Sequence, residues 1–365
     1  RCPEDREEAH AERQGRAAVT ARATAPQAGR HWLVVLLCCT VLVGIACGPG
    51  GAPAVALTDE TFRALIETLS EPPGTFPLSD NLVSNEPHVS ENARRLHPAG
   101  GVYIGVGPEQ NFSYIARLEP VMAFIIDIRQ ENRNLHLMYK ALFESANDRA
   151  DFLSLLFARA RPRGLSPDTS VRDLFAIYAS VASSSAQQNA TARLVRERLL
   201  TTHRFPLSSD DLASIDRALS AFAVDGPGIH YGRSLPPTAA GPSYRTLMTA
   251  TDARGQSRSY LATEDAFAFV KSLQMRNLIV PIVGDFAGPT TVRRVGDYVR
   301  DHGGAVSAFY GSNVQVYLSN EQMAAFCANL STLPSESDAW YIANKGQPLL
   351  TAKLKACGSR RALQN

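Results

Sequence analysis

The chain has 365 residues, 45% of them apolar and 20% charged, and a net charge of +2. This is the composition of a folded globular protein, and it excludes both a disordered polyelectrolyte and a bulk attraction to polyanions. No basic run or nucleic-acid-binding motif is present, so nucleic acid is set aside as a partner.

Residues 1–56 read as a leader. Residues 31–46, HWLVVLLCCTVLVGIA, form an almost unbroken apolar run. Arg13, Arg16, Arg22 and Arg30 stand before it without an acid among them, and Asp59 and Glu60 come after it. Positive before and acidic after orient such a segment with the domain outside, so export is expected: periplasmic, secreted or membrane-anchored. Three readings stay open. Ala54-Val55-Ala56 fits a signal-peptidase site, and Gly44-Ile45-Ala46-Cys47 resembles a lipobox. An uncleaved run would be a membrane tether through residues 31–46, though it falls short of the roughly 20 residues that span a bilayer. No methionine precedes Met122, and Val19 offers an alternative start; a mis-set start would leave the domain cytoplasmic. Cleavage at Ala56 leaves two cysteines, Cys327 and Cys357, either paired or as two buried thiols.

Beyond the leader, Phe62, Leu65, Ile66 and Leu69 predict a helix over 58–69, capped by Thr58 or Asp59. Pro72-Pro73-Gly74 stops it, and a polar loop, FPLSDNLVSNEPH, follows. Residues 101–106 (GVYIGV), 111–118, 121–128 (VMAFIIDI) and 134–145 then read as strand, helix, strand, helix, a βαβ unit of a parallel sheet. Four short, capped, Ala/Leu-rich segments at 148–160, 168–183, 186–202 and 208–222 contain no strand pattern. They predict a helical insertion over 148–225, placed near the carboxyl edge of the sheet and covering the site. Residues 226–255 form a loop rich in Gly, Pro and Tyr, with His230, Tyr231 and Tyr244 as candidates for a lid. Helices at 264–273, 290–301 and within 314–330 alternate with strands at 278–283, 305–310 and 340–343. Residues 57–147 and 226–365 are therefore the two parts of one α/β domain, a Rossmann-like, mostly parallel sheet.

Each apolar run ends on residues able to do chemistry, at the edge where open parallel sheets bind ligands. The first ends on Gly105-Val106-Gly107, which lets a ligand approach the backbone and the N–H groups of the next helix. The second ends on Asp127, 20 residues after Gly107, the place of an acid that binds a ribose hydroxyl. The third ends on Gly284-Asp285-Phe286, an acceptor for an exocyclic amine beside a ring that can stack on a base. The fourth ends on Gly311-Ser312-Asn313, which contacts substrate or simply turns the chain. Purely structural glycines and an Asp285 that only caps the following helix remain as alternatives. The histidines at 97, 136, 203, 230 and 302 show no ligand spacing, so no metal is expected. Arg129 and Arg133 are expected in solvent.

Through the run GVYIGVGPEQNFSYI…AFIIDIR…NLIVPIVGDFAGP, residues 100–320 resemble the class I S-adenosylmethionine-dependent methyltransferase superfamily, in a bacterial branch without an assigned reaction. The resemblance implies S-adenosylmethionine as cofactor and a small molecule as substrate. It implies Gly105 and Gly107 in the glycine loop, Asp127 on the ribose, and Asp285 and Phe286 beside adenine. Ser312 and Asn313 would lie on the catalytic face. Asn81, Asn85 and Glu86 would close over the cofactor, and Glu109, in the place of a third glycine, would bring a carboxylate near it. Tyr103 stands where the superfamily usually has an acid, and the absence of an Asn-Pro-Pro-Tyr motif argues against a nucleobase or protein amide as methyl acceptor. Two other readings stand beside this one: an NAD(P)-dependent oxidoreductase using the same loop and Asp127, and an exported, non-catalytic binding protein that keeps the fold. Asp127 decides among them. If its carboxylate is buried in a salt bridge, the cofactor assignment fails and the fold remains.

Overall fold

A computed structural model describes residues 55–76, 80–233, 241–344 and 346–362. The apolar run of the leader, Cys47 and Ala54 lie outside the described residues, and among those described no helix is long and apolar enough to cross a membrane.

Helix α1 (Asp59–Leu69) forms where its apolar spacing predicts, with the Thr58 side chain accepting from the Thr61 N–H and Phe62, Leu65, Ile66 and Leu69 buried. A short helix, α2 (Val89–Arg95), follows in a stretch without an apolar period. The βαβ unit then appears as β1 (Val102–Gly105), α3 (Gln110–Leu118) and β2 (Met122–Asp127), continued by α4 (Gln130–Ser145). Both strands are buried at every position, as a sheet covered on two faces requires.

The insertion is helical throughout its regular structure: α5 (Arg149–Leu156), α6 (Val171–Ser180), α7 (Ser185–Arg196) continuing as a π-helical turn (Glu197–Thr202), and α8 (Ser209–Asp225). Asp148, Ser170, Ser184 and Ser208 each cap a helix by accepting a backbone N–H three residues on. No strand of the sheet lies in this span. Arg149 pins it to the core. Its fully buried guanidinium pairs with Glu264 at 2.9 Å and donates to the carbonyls of Leu261, Ala262, Pro167 and Thr169.

The second part of the domain runs α9 (Tyr244–Thr249), α10 (Glu264–Met275), β3 (Ile279–Val283), α11 (Thr291–Asp301), β4 (Val306–Ser312), α12 (Asn320–Leu330), β5 (Ser335–Ala343) and α13 (Leu350–Ala362). The expected loop at 226–255 thus contains a helix, started by Ser243 as cap to Thr246 N. Cys327 in α12 and Cys357 in α13 form a disulfide.

The five strands are parallel in the order β3-β2-β1-β4-β5. From β1 the chain steps outward to β2 and β3, then crosses to the other side of β1 for β4 and β5. Ligand crevices open at the carboxyl ends of strands where the order reverses in this way.

Candidate functional site

A cavity of about 550 Å³ opens at that edge, within the range of small-molecule sites. Gly107 from the end of β1, Asp127 from β2, Asp285 and Phe286 from beyond β3, and Ser312 and Asn313 from β4 all line it. Asn85 closes it from the polar loop after α1, together with Asn81, and Tyr231 lines another wall. Eight of the eleven residues that the sequence places at the site therefore converge, from Asn81 to Asn313, and Glu86 lies behind the wall, bonded to Ser312. Gly105 and Glu109 do not line the cavity. Nor does any residue of the insertion: its last helix, α8, packs against α4, and the loop around Asn81 occupies the place expected for it.

The glycine turn is supported from beneath. Gly107 has φ +79°, a conformation that favours glycine. The Asn111 amide donates to the carbonyls of Val106, Gly107 and Pro108 at 2.9, 3.1 and 2.7 Å, and its oxygen accepts from Tyr103. This explains Gly105, where a Cβ would lie 2.0 Å from that same Asn111 oxygen. Gly105 makes room for Asn111 rather than for a ligand. His136 on α4 is the second support. Burial holds its pKa down to about 4, so the ring is neutral and Nε2–H donates to the Gly107 carbonyl at 2.9 Å. Glu109 turns inward, fully buried, and accepts from the Ser84 N–H at 3.2 Å, with burial raising its pKa to about 8. It holds down the Asn81–Asn85 loop instead of facing a cofactor.

Asp127 fails the test set for it. Arg129 follows two residues later in the turn into α4, and its guanidinium folds back onto the carboxylate. Nε reaches Oδ1 at 3.1 Å and Nη2 reaches Oδ2 at 3.2 Å, while the Arg129 N–H also donates to Oδ1. Both side chains are 7% exposed, and Nη1 is held by the Asp80 carbonyl. A ribose diol would have to displace a buried guanidinium. Neither arginine stands free in solvent, because Arg133 is paired with Asp211 at 2.8 Å.

At the β3 end, Asp285 does not cap α11. Glu71, beyond the end of α1, does so, accepting from Thr290 N at 2.6 Å and Thr291 N at 2.7 Å. Asp285 instead accepts from Ala287 N at 2.8 Å and still lines the cavity. Phe286 is a core residue, 3% exposed and packed 4.7 Å from the Phe309 ring, so little of it remains for stacking on a base. At the β4 end, Ser312 has φ +49°, unusual for a residue with a side chain. Its hydroxyl donates to Glu86, whose carboxyl is buried and shifted upward by that burial despite the bonds from Ser312 and Tyr310. Asn111, His136 and Glu71 were not legible as site residues, because the carbonyls and helix end they serve are fixed only by the assembled sheet. Of the lid candidates, Tyr231 lines the cavity, Tyr244 is fully buried against Tyr260, and His230 bridges to Ser243.

The chain matches a domain family of unknown function, DUF7790, over residues 81–163 and 238–347, just over half of its length, and it belongs to that family. The matched residues hold every cavity-lining position except Thr75, Phe76 and Tyr231. They skip residues 164–237, a stretch that includes most of the insertion. No curated protein matches the chain.

Proposed function

We propose, taking membership of that family as the premise, that this chain is an exported small-molecule-binding protein built on a methyltransferase-like scaffold. The observation that carries this reading is the Asp127–Arg129 pair: the cavity is open, but the acid that would hold a ribose is already bound. The Cys327–Cys357 disulfide supports an oxidising compartment, and nucleotide cofactors are kept in the cytoplasm. Methyl transfer with S-adenosylmethionine stands as the second reading. It is supported by the left-handed Gly107 turn and by Ser312 in a strained conformation at the cavity wall, the kind of outlier found at active sites. Methyl transfer asks mainly for in-line placement of donor and acceptor, which a rigid cavity supplies.

Calorimetry with S-adenosylmethionine, S-adenosylhomocysteine, NAD and NADP separates the two. The binding-protein reading expects no saturation by any of them below about 1 mM, a limit near −4 kcal/mol. S-adenosylmethionine binding tighter than about 10 µM, lost in Gly107→Val, would restore the methyltransferase.

A further inference from the structure

The ligand of this cavity can be narrowed by which hydrogen-bonding and charged groups are already committed. Ser312 lines the wall, but its proton is taken by Glu86 Oε1, with Asn313 Oδ1 a more distant acceptor at 3.2 Å, so the hydroxyl has only lone pairs left to present to a ligand. Glu86 is 1% exposed, its second oxygen has no hydrogen-bond partner, and among the described residues no lysine, arginine or histidine pairs with it. Beside it the Gln110 amide donates to the Tyr310 hydroxyl at 2.5 Å, a contact between two neutral side chains. Nothing in that chain of side chains supplies a positive charge.

The rest of the lining repeats the pattern. Among the described residues Arg129 is the cation of the wall, and Asp127 cancels it; Asp285 is a further carboxylate there, bonded to a neutral backbone N–H. The Phe76 and Tyr317 rings meet edge to face at 5.3 Å and both line the cavity, with Tyr231 on another wall. Aromatic faces attract cations, and buried carboxylates without partners are stabilised by them.

We propose that the ligand carries a protonated amine that docks on the Ser312 hydroxyl, with the buried Glu86 carboxyl behind it as counter-charge and the aromatic rings around its apolar part. The ammonium N–H donates to the Ser312 oxygen, and the Ser312 hydroxyl donates in turn to Glu86, so each bond in the line pairs one donor with one acceptor. This rests on the small-molecule-binding reading and adds the chemical class of the ligand.

The test uses the full chain and three probes of one shape: benzylamine, benzyl alcohol and benzoate, titrated at pH 7 and followed by the amide shifts of Ser312 and Gly107. Benzylamine should bind at least tenfold more tightly than benzyl alcohol, and benzoate should be the weakest. Glu86→Gln, which removes the counter-charge behind the docking oxygen, should cut the preference for the amine over the alcohol at least threefold, and Ser312→Ala, which removes the acceptor for both probes, should weaken the amine at least threefold more than the alcohol. The inference is overturned if benzoate binds as well as benzylamine, if both variants keep the preference, or if no probe moves the Ser312 resonance. Equal binding of amine and alcohol with shifts at Gly107 would sink the amine alone and leave small-molecule binding standing. Should Glu86→Gln fail to fold, Ser312→Ala carries the comparison.

Discussion

The four helices of the insertion each open on a residue whose side chain caps its own backbone three positions later, from Asp148 to Ser208. At the carboxyl edge of the sheet the partners are distant: Ser312 bonds Glu86, Gln110 bonds Tyr310, and the start of α11 is capped by Glu71. The helix starts of the first region are satisfied by short-range rules, although Arg149 and Asp211 also reach distant partners, so its helices are specified segment by segment. In the second these three bonds form only once the strands have taken their order, and two buried acceptors beside the cavity, Glu86 Oε2 and Gln110 Oε1, are left without partners. The family match follows the same division, keeping the edge and passing over most of the insertion. Arg159 Nε in the insertion is unpartnered too, but at the edge the two unpartnered acceptors belong to side chains on or directly behind the cavity wall, where such cost can serve function.

The largest expected effect tests whether the edge is as interdependent as it looks. Asp127→Ala leaves the Arg129 guanidinium buried without its carboxylate, and should lower stability by about 3–5 kcal/mol in urea denaturation. A loss under about 1 kcal/mol would mean that the pair opens readily, returning Asp127 to a ligand.

A smaller effect depends on pH. The folded pKa of Glu109, about 8, lies above its free value of 4.5. For an acid raised in this way the native state holds the proton more tightly than the unfolded chain. Its contribution is therefore whole below pH 4.5 and is lost as pH rises towards 8. Glu109→Gln removes the titration, so the variant should gain about 2–4 kcal/mol on wild type between pH 4.5 and 8, and little below. Parallel stability curves for the two proteins across that range would contradict the buried carboxyl.

The smallest effect belongs to the insertion. Ser208→Ala removes the capping box in which Ser208 and Asp211 satisfy each other's N–H groups, and should cost about 1 kcal/mol. Hydrogen exchange should quicken in α8 while the amides of β1 and β2 keep their rates. Loss of protection in the strands as well would show that the two regions unfold as one.

What the sequence made legible follows the same line. The apolar runs at β1, β2, β3 and β4 and the four insertion helices were readable because each signal lies within a few residues, though α6 and α7 are capped at Ser170 and Ser184 rather than at the expected starts 168 and 186. The convergence of Gly107, Asp127, Asp285 and Ser312 was readable because parallel strands put their carboxyl ends on one edge. The roles of Asn111, His136, Glu71 and Glu86 were not, since their partners lie on other elements or on carbonyls whose directions a sequence does not carry. Gly105 and Glu109 were misassigned for this reason: a glycine that accommodates Asn111 and a glutamate that anchors Ser84 look the same in sequence as a ligand loop. Asp127 is a different case. Arg129 stood two residues away, and the turn into α4 brings such neighbours together, so the competing partner was in plain view. Helices α2 and α13 escaped notice because little apolar periodicity marks them.

The sheet's own connectivity has a consequence for how the chain finds its fold. β2 ends at Asp127 and its hydrogen-bonded neighbour β3 begins at Ile279, with the entire insertion threaded between them. Closing so long a crossover is slow, because the entropy of joining its ends is spent before the pairing returns anything. Helices that cap themselves can form before that closure, and a compact block spans less distance than the free chain it replaces. A folded insertion thus shortens the crossover that the β2–β3 edge must close, although it contributes no wall to the cavity that edge completes.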